Sequence, residues 1–137
     1  MRQLAKRRLN AEPDADGFAR MAVYVVEDDP GVNDSLVELF KNTGHGVVSH
    51  AAAETFFSGD PPAPSDTVIV DLVLPGIGGA TVIKWLQRLK EPPLIIALSG
   101  QPQMVIESQL RGLNVALLVR KPVVDGSALI QFVHSRQ

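Results

Sequence analysis

At 137 residues, with 45% hydrophobic and 20% charged side chains, the chain can bury one sizeable core and has the balance of a soluble globular domain. A net charge of −2 gives no electrostatic reason for direct nucleic-acid binding, and no run approaches the roughly 20 apolar residues that span a membrane. The lack of cysteine excludes disulfides and thiolate metal sites, fits a cytoplasmic protein, and leaves any metal to oxygen donors or to three histidines.

Residues 1–20 carry five Lys/Arg against three Asp/Glu and include a polar, proline-containing stretch. They are expected to form a flexible extension outside a compact domain spanning 21–137: a solvated tail or the product of an alternative translation start, rather than a nucleic-acid or membrane arm. From Met21 onward, short β-branched runs at 22–26, 47–50, 67–70, 94–98 and 115–119 alternate with helix-like segments at 30–42, 53–58, 79–90, 102–111 and 126–135. Five strands alternating with five helices predict an α/β fold, a five-stranded parallel sheet with helices on both faces.

The first run ends in Glu27-Asp28-Asp29, and Asp29 with Pro30 makes a helix start: a capping carboxylate, then a residue whose missing N–H costs nothing there. Val32, Leu36, Leu39 and Phe40 form one apolar face, and Gly44 can close the end in the left-handed conformation. The proline-rich loop 58–65 is expected on the surface. The third run, Thr67-Val68-Ile69-Val70, delivers Asp71 to a turn, Leu72-Val73-Leu74-Pro75-Gly76. Gly76-Ile77-Gly78-Gly79 lacks the Lys-Ser/Thr of a nucleotide-binding phosphate loop, so it is read as shaping the turn into the next helix. There Val82, Ile83, Leu86 and Leu89 face inward and Trp85 is partly buried packing.

The fourth run, Leu94-Ile95-Ile96-Ala97-Leu98, ends in the hydroxyl of Ser99. The fifth ends in Arg120-Lys121-Pro122, where a cis proline would aim the lysine amine back into the site. Asp125 caps the last helix, with Leu129, Ile130 and Val133 inward. His45, His50 and His134 lack metal-ligand spacing and are expected at surface or turn positions. In an open parallel sheet, ligands bind beyond the carboxyl ends of the strands, where Glu27, Asp28, Asp71, Ser99 and Lys121 all fall. Crowded carboxylates repel one another and a divalent cation relieves that repulsion; oxygen-only donors suit Mg2+ or Mn2+. Lys121 and Ser99 offer the point charge and small donor that a phosphoryl group needs.

The chain from Ala22 to about Arg136 resembles the receiver domain of two-component response regulators. The matching elements are Val25-Val26-Glu27-Asp28-Asp29-Pro30, Val70-Asp71-Leu72-Val73-Leu74-Pro75-Gly76 with Gly79, Ala97-Leu98-Ser99-Gly100 and Arg120-Lys121-Pro122. Asp28 to Asp71, Asp71 to Ser99 and Ser99 to Lys121 are 43, 28 and 22 residues apart, which also fits that family. The resemblance implies a flavodoxin-like doubly wound (βα)5 fold over 21–137. It implies that Asp71 takes a phosphoryl group from a sensor histidine kinase or a histidine phosphotransfer protein. Mg2+ would be held by Asp28, by Glu27 mostly through water, by Asp71, and by the backbone carbonyl of Val73. Ser99 would move toward the phosphoryl group and Lys121 would bind one of its oxygens. The surface of residues 102–136 (fourth helix, fifth strand, fifth helix) would carry the output and could support a homodimer.

Two departures bear on mechanism. Leu118 stands where the family usually has Tyr or Phe, so output is expected to pass through backbone and helix shifts around 100–111. Val73 sets an apolar side chain beside the acceptor, where it cannot orient an attacking water, so slow autodephosphorylation is expected in a switching module rather than a metabolic enzyme. The rival readings are a receiver-like adaptor that works without phosphorylation and an aspartate-nucleophile phosphatase. The latter needs an acid two residues after its nucleophile, where this chain has Val73.

Overall fold

The apolar runs form the strands of one parallel sheet, and the computed structural model describes residues 21–136. The extension expected over residues 1–20 lies outside the described residues. In chain order the elements are β1 (Ala22–Val26), α1 (Pro30–Lys41), β2 (Gly46–His50), α2 (Ala53–Ser58), β3 (Thr67–Asp71), α3 (Gly79–Gln87), β4 (Leu94–Ser99), α4 (Gln103–Leu110), β5 (Leu117–Arg120) and α5 (Gly126–Ser135). All four strand pairings are parallel, in the order β2-β1-β3-β4-β5. This is the doubly wound arrangement expected from the sequence. Strand order reverses between β1 and β3, which opens a crevice at their carboxyl ends.

β1 and β3 are buried along their whole length, as strands covered on both faces must be. Tyr24, Val26, Val68, Val70 and Ala97 point to one side and pack against Phe56 of α2, Val82, Ile83 and Leu86 of α3 and Ile106 of α4. Val23, Val25, Ile69, Ile96 and Leu98 point to the other, against Leu36 and Phe40 of α1 and Leu129 and Val133 of α5. The helix starts behave as their residues dictate. Asp29 accepts from the amides of Gly31 and Val32, Asp125 accepts from Ala128 N, and Gly44 has φ +87°.

Several boundaries differ from the sequence reading. The third helix stops at Gln87 rather than 90: Arg88 N and Leu89 N bond the carbonyls three residues back, a tightened last turn ahead of Pro92 and Pro93. The fifth strand begins at Leu117 rather than 115, although Ala116 N already donates to Ile95 O at 2.8 Å. The loop 58–65 is not wholly superficial, because Pro62 and Ala63 are buried. Asp66 explains that: its carboxylate accepts from Ala63 N (2.7 Å) and Ala22 N (2.9 Å), drawing the loop onto the rim where β1 begins.

Candidate functional site

Register brings the acids together. Val26 pairs with Val70, so the next residues, Glu27 and Asp71, leave adjacent strands side by side at the β1–β3 crevice. Both are buried, whereas Asp28 is exposed at the mouth. Oxygens of Glu27, Asp28 and Asp71 lie within 4.8 Å of one another, the one such group of three possible metal-ligating side chains among the described residues.

Lys121 arrives from the end of β5. Its backbone N donates to Ser99 O at 3.0 Å, the Lys121–Pro122 peptide is cis, and its ammonium reaches between the two buried acids. Nζ donates to Glu27 Oε1 at 2.8 Å and to Asp71 Oδ2 at 2.7 Å. The other carboxylate oxygens are also held, Glu27 Oε2 by Asp29 N (3.1 Å) and Asp71 Oδ1 by Val73 N (2.9 Å). Burial pushes the Glu27 carboxyl up to about 7; Lys121 and the Asp29 amide oppose the rise and the neighbouring Asp71 adds to it. Burial also disfavours the Lys121 ammonium, but the bonds to Asp71 and Glu27 outweigh it and its pKa is raised. With both carboxyls ionised, two acids and one ammonium leave the pocket short of one positive charge.

Glycine is required where the α3 start passes under the acceptor. A Cβ on Gly79 would collide with the carbonyl oxygen of Asp71 and lie 2.7 Å from its carbonyl carbon. Ser99 is buried at the same edge, one strand further on, and its Oγ accepts from Gln101 N at 3.0 Å within its own loop. Val73 is 46% exposed beside the acceptor. Leu118 is half-buried against the core on the α2–α4 side.

A family model described as the response regulator receiver domain matches residues 23–134. The chain belongs to that family. Receiver domains are modules of two-component signalling, not metabolic enzymes. Among curated relatives, transcriptional regulatory protein FixJ of Azorhizobium caulinodans is 27% identical over 115 residues, covering 84% of this chain and 54% of the relative. Nodulation protein W of Bradyrhizobium diazoefficiens is 33% identical over 85 residues, 62% of this chain and 37% of the relative. This receiver spans about half the length of the curated FixJ relatives it matches. Among solved structures, a response regulator from Colwellia psychrerythraea superposes with a TM-score of 0.71 at 27% identity, over 87% of this chain and all of that one. A CheY-like receiver domain protein from Methanospirillum hungatei JF-1 gives 0.75 at 16% identity, over 86% and 94%, a likeness of fold.

Of the residues singled out from the receiver's sequence, Glu27, Asp28, Asp71 and Lys121 converge directly, and Ser99 lies at the same rim. His45 and His134 come together, with ring centroids 5.0 Å apart, although the sequence holds them 89 positions apart. His50 is half-buried edge-on to Phe56, not a plain turn residue. Sequence reasoning missed Asn33, a buried amide beneath the acidic turn; its signal was a polar residue in register with Leu36 and Phe40 on the buried face of α1. No helix among the described residues is long and apolar enough to cross a membrane.

Proposed function

We propose that Asp71 accepts a phosphoryl group from a phosphohistidine of a sensor kinase or phosphotransfer protein, and that this shifts the face formed by α4, β5 and α5. The observation that carries the reading is Lys121 Nζ bonded at once to Glu27 and Asp71 beneath a third, solvent-facing acid. In the transfer, an Asp71 carboxylate oxygen bonds to phosphorus as the P–N bond breaks. The electron pair leaves with the imidazole nitrogen, which takes up a proton. Val73 N and Lys121 hold the Asp71 carboxylate oriented before the donor arrives, so positioning rather than bond chemistry is the protein's contribution.

The donor set fits Mg2+ or Mn2+: all oxygen, clustered, negatively charged, and open to water at Asp28. Asp28, Asp71 and the Val73 carbonyl are assigned as ligands, with Glu27 acting mainly through water. When bound, Mg2+ supplies positive charge to the phosphoryl oxygens. Lys121 neutralises a further oxygen, and Ser99 can donate its O–H, because the bond from Gln101 uses Oγ only as acceptor. Movement of Ser99 carries α4 with it. That helix has one fully buried side chain, Ile106, and no side-chain cap at Pro102, so it is weakly anchored. With Leu118 at the strand position, the shift passes through backbone and helix packing rather than an aromatic side chain. The same face is the candidate homodimer contact.

Incubation with Mg2+ and acetyl phosphate, followed by intact-mass measurement, tests the assignment. The wild-type chain gains the mass of one phosphoryl group and Asp71→Ala gains none. An equal gain in Asp71→Ala would move the acceptor elsewhere.

A further inference from the structure

Asn33 is the buried amide that the phosphoryl-transfer reading leaves without a task. It sits on α1, four residues after the capping Asp29, and is 6% exposed. Its Nδ2 donates to the carbonyl of Glu27 at 2.9 Å and to the carbonyl of His50 at 3.2 Å, and its Oδ1 accepts from Ser49 Oγ at 2.6 Å. Both amide hydrogens and the amide oxygen are thus engaged, and each bond runs to a different backbone or side-chain group at the carboxyl ends of β1 and β2. The Glu27 carbonyl belongs to the peptide joining Glu27 to Asp28. On the other side of Glu27, its own N donates to His50 O at 3.0 Å. The backbone is therefore clamped both before and after Glu27, and the second clamp depends on one side chain.

From this we infer that Asn33 is a positioning residue for the acidic turn: by fixing the Glu27–Asp28 peptide plane it sets the mutual direction of the two carboxylates that would face Mg2+. The inference rests on the metal assignment above. Helix packing alone does not require an amide here. An apolar side chain would fill the same place between α1 and the sheet, but it would leave the Glu27 carbonyl without its donor and the peptide plane free to rotate. Ser49 is a second layer of the same device, since its hydroxyl fixes which end of the Asn33 amide faces the turn. Partners one shell beyond a metal ligand commonly alter affinity by about 10–100-fold when removed.

The test is Mg2+ affinity by titration calorimetry on the full chain for wild type, Asn33→Ala, Ser49→Ala and Leu36→Ala. Leu36 is a buried apolar residue of the same helix with no contact to the acids' backbone in the network just described, so its truncation controls for loss of packing. Asn33→Ala is expected to bind Mg2+ at least about ten-fold more weakly. Ser49→Ala should lose less, because the Nδ2 bonds remain, and folded Leu36→Ala should match wild type. Equal affinity in Asn33→Ala and wild type, or an equal loss in Leu36→Ala, overturns the inference. A readout independent of any variant's folding is the NMR signal of the Asn33 side-chain amide in the wild-type chain. It should shift in the same Mg2+ titration as the Glu27 and Asp28 backbone amides, and a silent Asn33 amide at saturation refutes the role. Wild type that binds no Mg2+ refutes the metal assignment itself, and this inference with it.

Discussion

Replacing Lys121 with methionine removes the ammonium while keeping most of the hydrocarbon stem. Two charge-assisted hydrogen bonds disappear, at 2.8 Å to Glu27 and 2.7 Å to Asp71, and two buried carboxylates are left facing each other. Breaking a fully buried ion pair from one side costs about 3–5 kcal/mol. The Lys121 side chain is 22% exposed, so water partly replaces it, and the expected loss is about 2–4 kcal/mol without Mg2+. Urea unfolding followed by circular dichroism measures it. A cation bound at the acids favours the folded state by mass action, by about 2.7 kcal/mol at a hundred times its dissociation constant. Mg2+ should therefore stabilise Lys121→Met more than it stabilises wild type, since it meets an uncompensated pair. A loss below about 0.5 kcal/mol, or an Mg2+ effect no larger in the variant, would refute the argument that this lysine is the main counter-charge of the pocket.

Three further outcomes follow from the same geometry. Gly79→Ala forces a Cβ into the Asp71 carbonyl, so it should cost about 1–3 kcal/mol in thermal or urea unfolding and slow phosphorylation by acetyl phosphate; an unchanged midpoint and rate would contradict the close approach. Burial lowers the His50 pKa below 6.5, so the unfolded chain binds the proton more readily. The His50 contribution to stability should accordingly be full above about pH 6.5 and be lost as pH falls toward the folded-state value, read as the difference between the unfolding midpoints of wild type and His50→Phe from about pH 5 to 8, which leaves the Glu27 titration common to both. Val73→Asn should shed its phosphoryl group faster than wild type, because a polar amide beside the acceptor can orient water; decay of the phosphorylated mass with time measures this, and an equal or slower decay counts against it.

Much of this architecture was legible because its central strands are buried on both faces. Continuous apolar runs such as 67–70 and 94–98 admit few other readings, and each ends at the residue that carries the chemistry. The Asp29–Pro30 start was equally plain, since its cap uses neighbours in sequence. β5 was harder. It is an edge strand, only half-buried, so its apolar pattern does not mark where pairing starts. Strand order cannot be read from alternation, because every βαβ unit looks alike along the chain. Contacts between distant segments were hidden for the same reason: Asp66 with Ala22, Asn33 with His50, and the single ammonium shared by Glu27 and Asp71. Local reading placed all the acids on one rim. It could not tell that Lys121 would bridge two of them while the Ser99 hydroxyl rested on its own loop.

The most direct trial of the central claim is chemical marking of the acceptor. After reaction with acetyl phosphate and Mg2+, borohydride reduces an aspartyl phosphate to homoserine, and peptide mass spectrometry locates the change. Homoserine at position 71, absent when Mg2+ is withheld, is the predicted result. An unmodified Asp71 with the mark on Asp28, or on a carboxylate outside the pocket, would contradict the account.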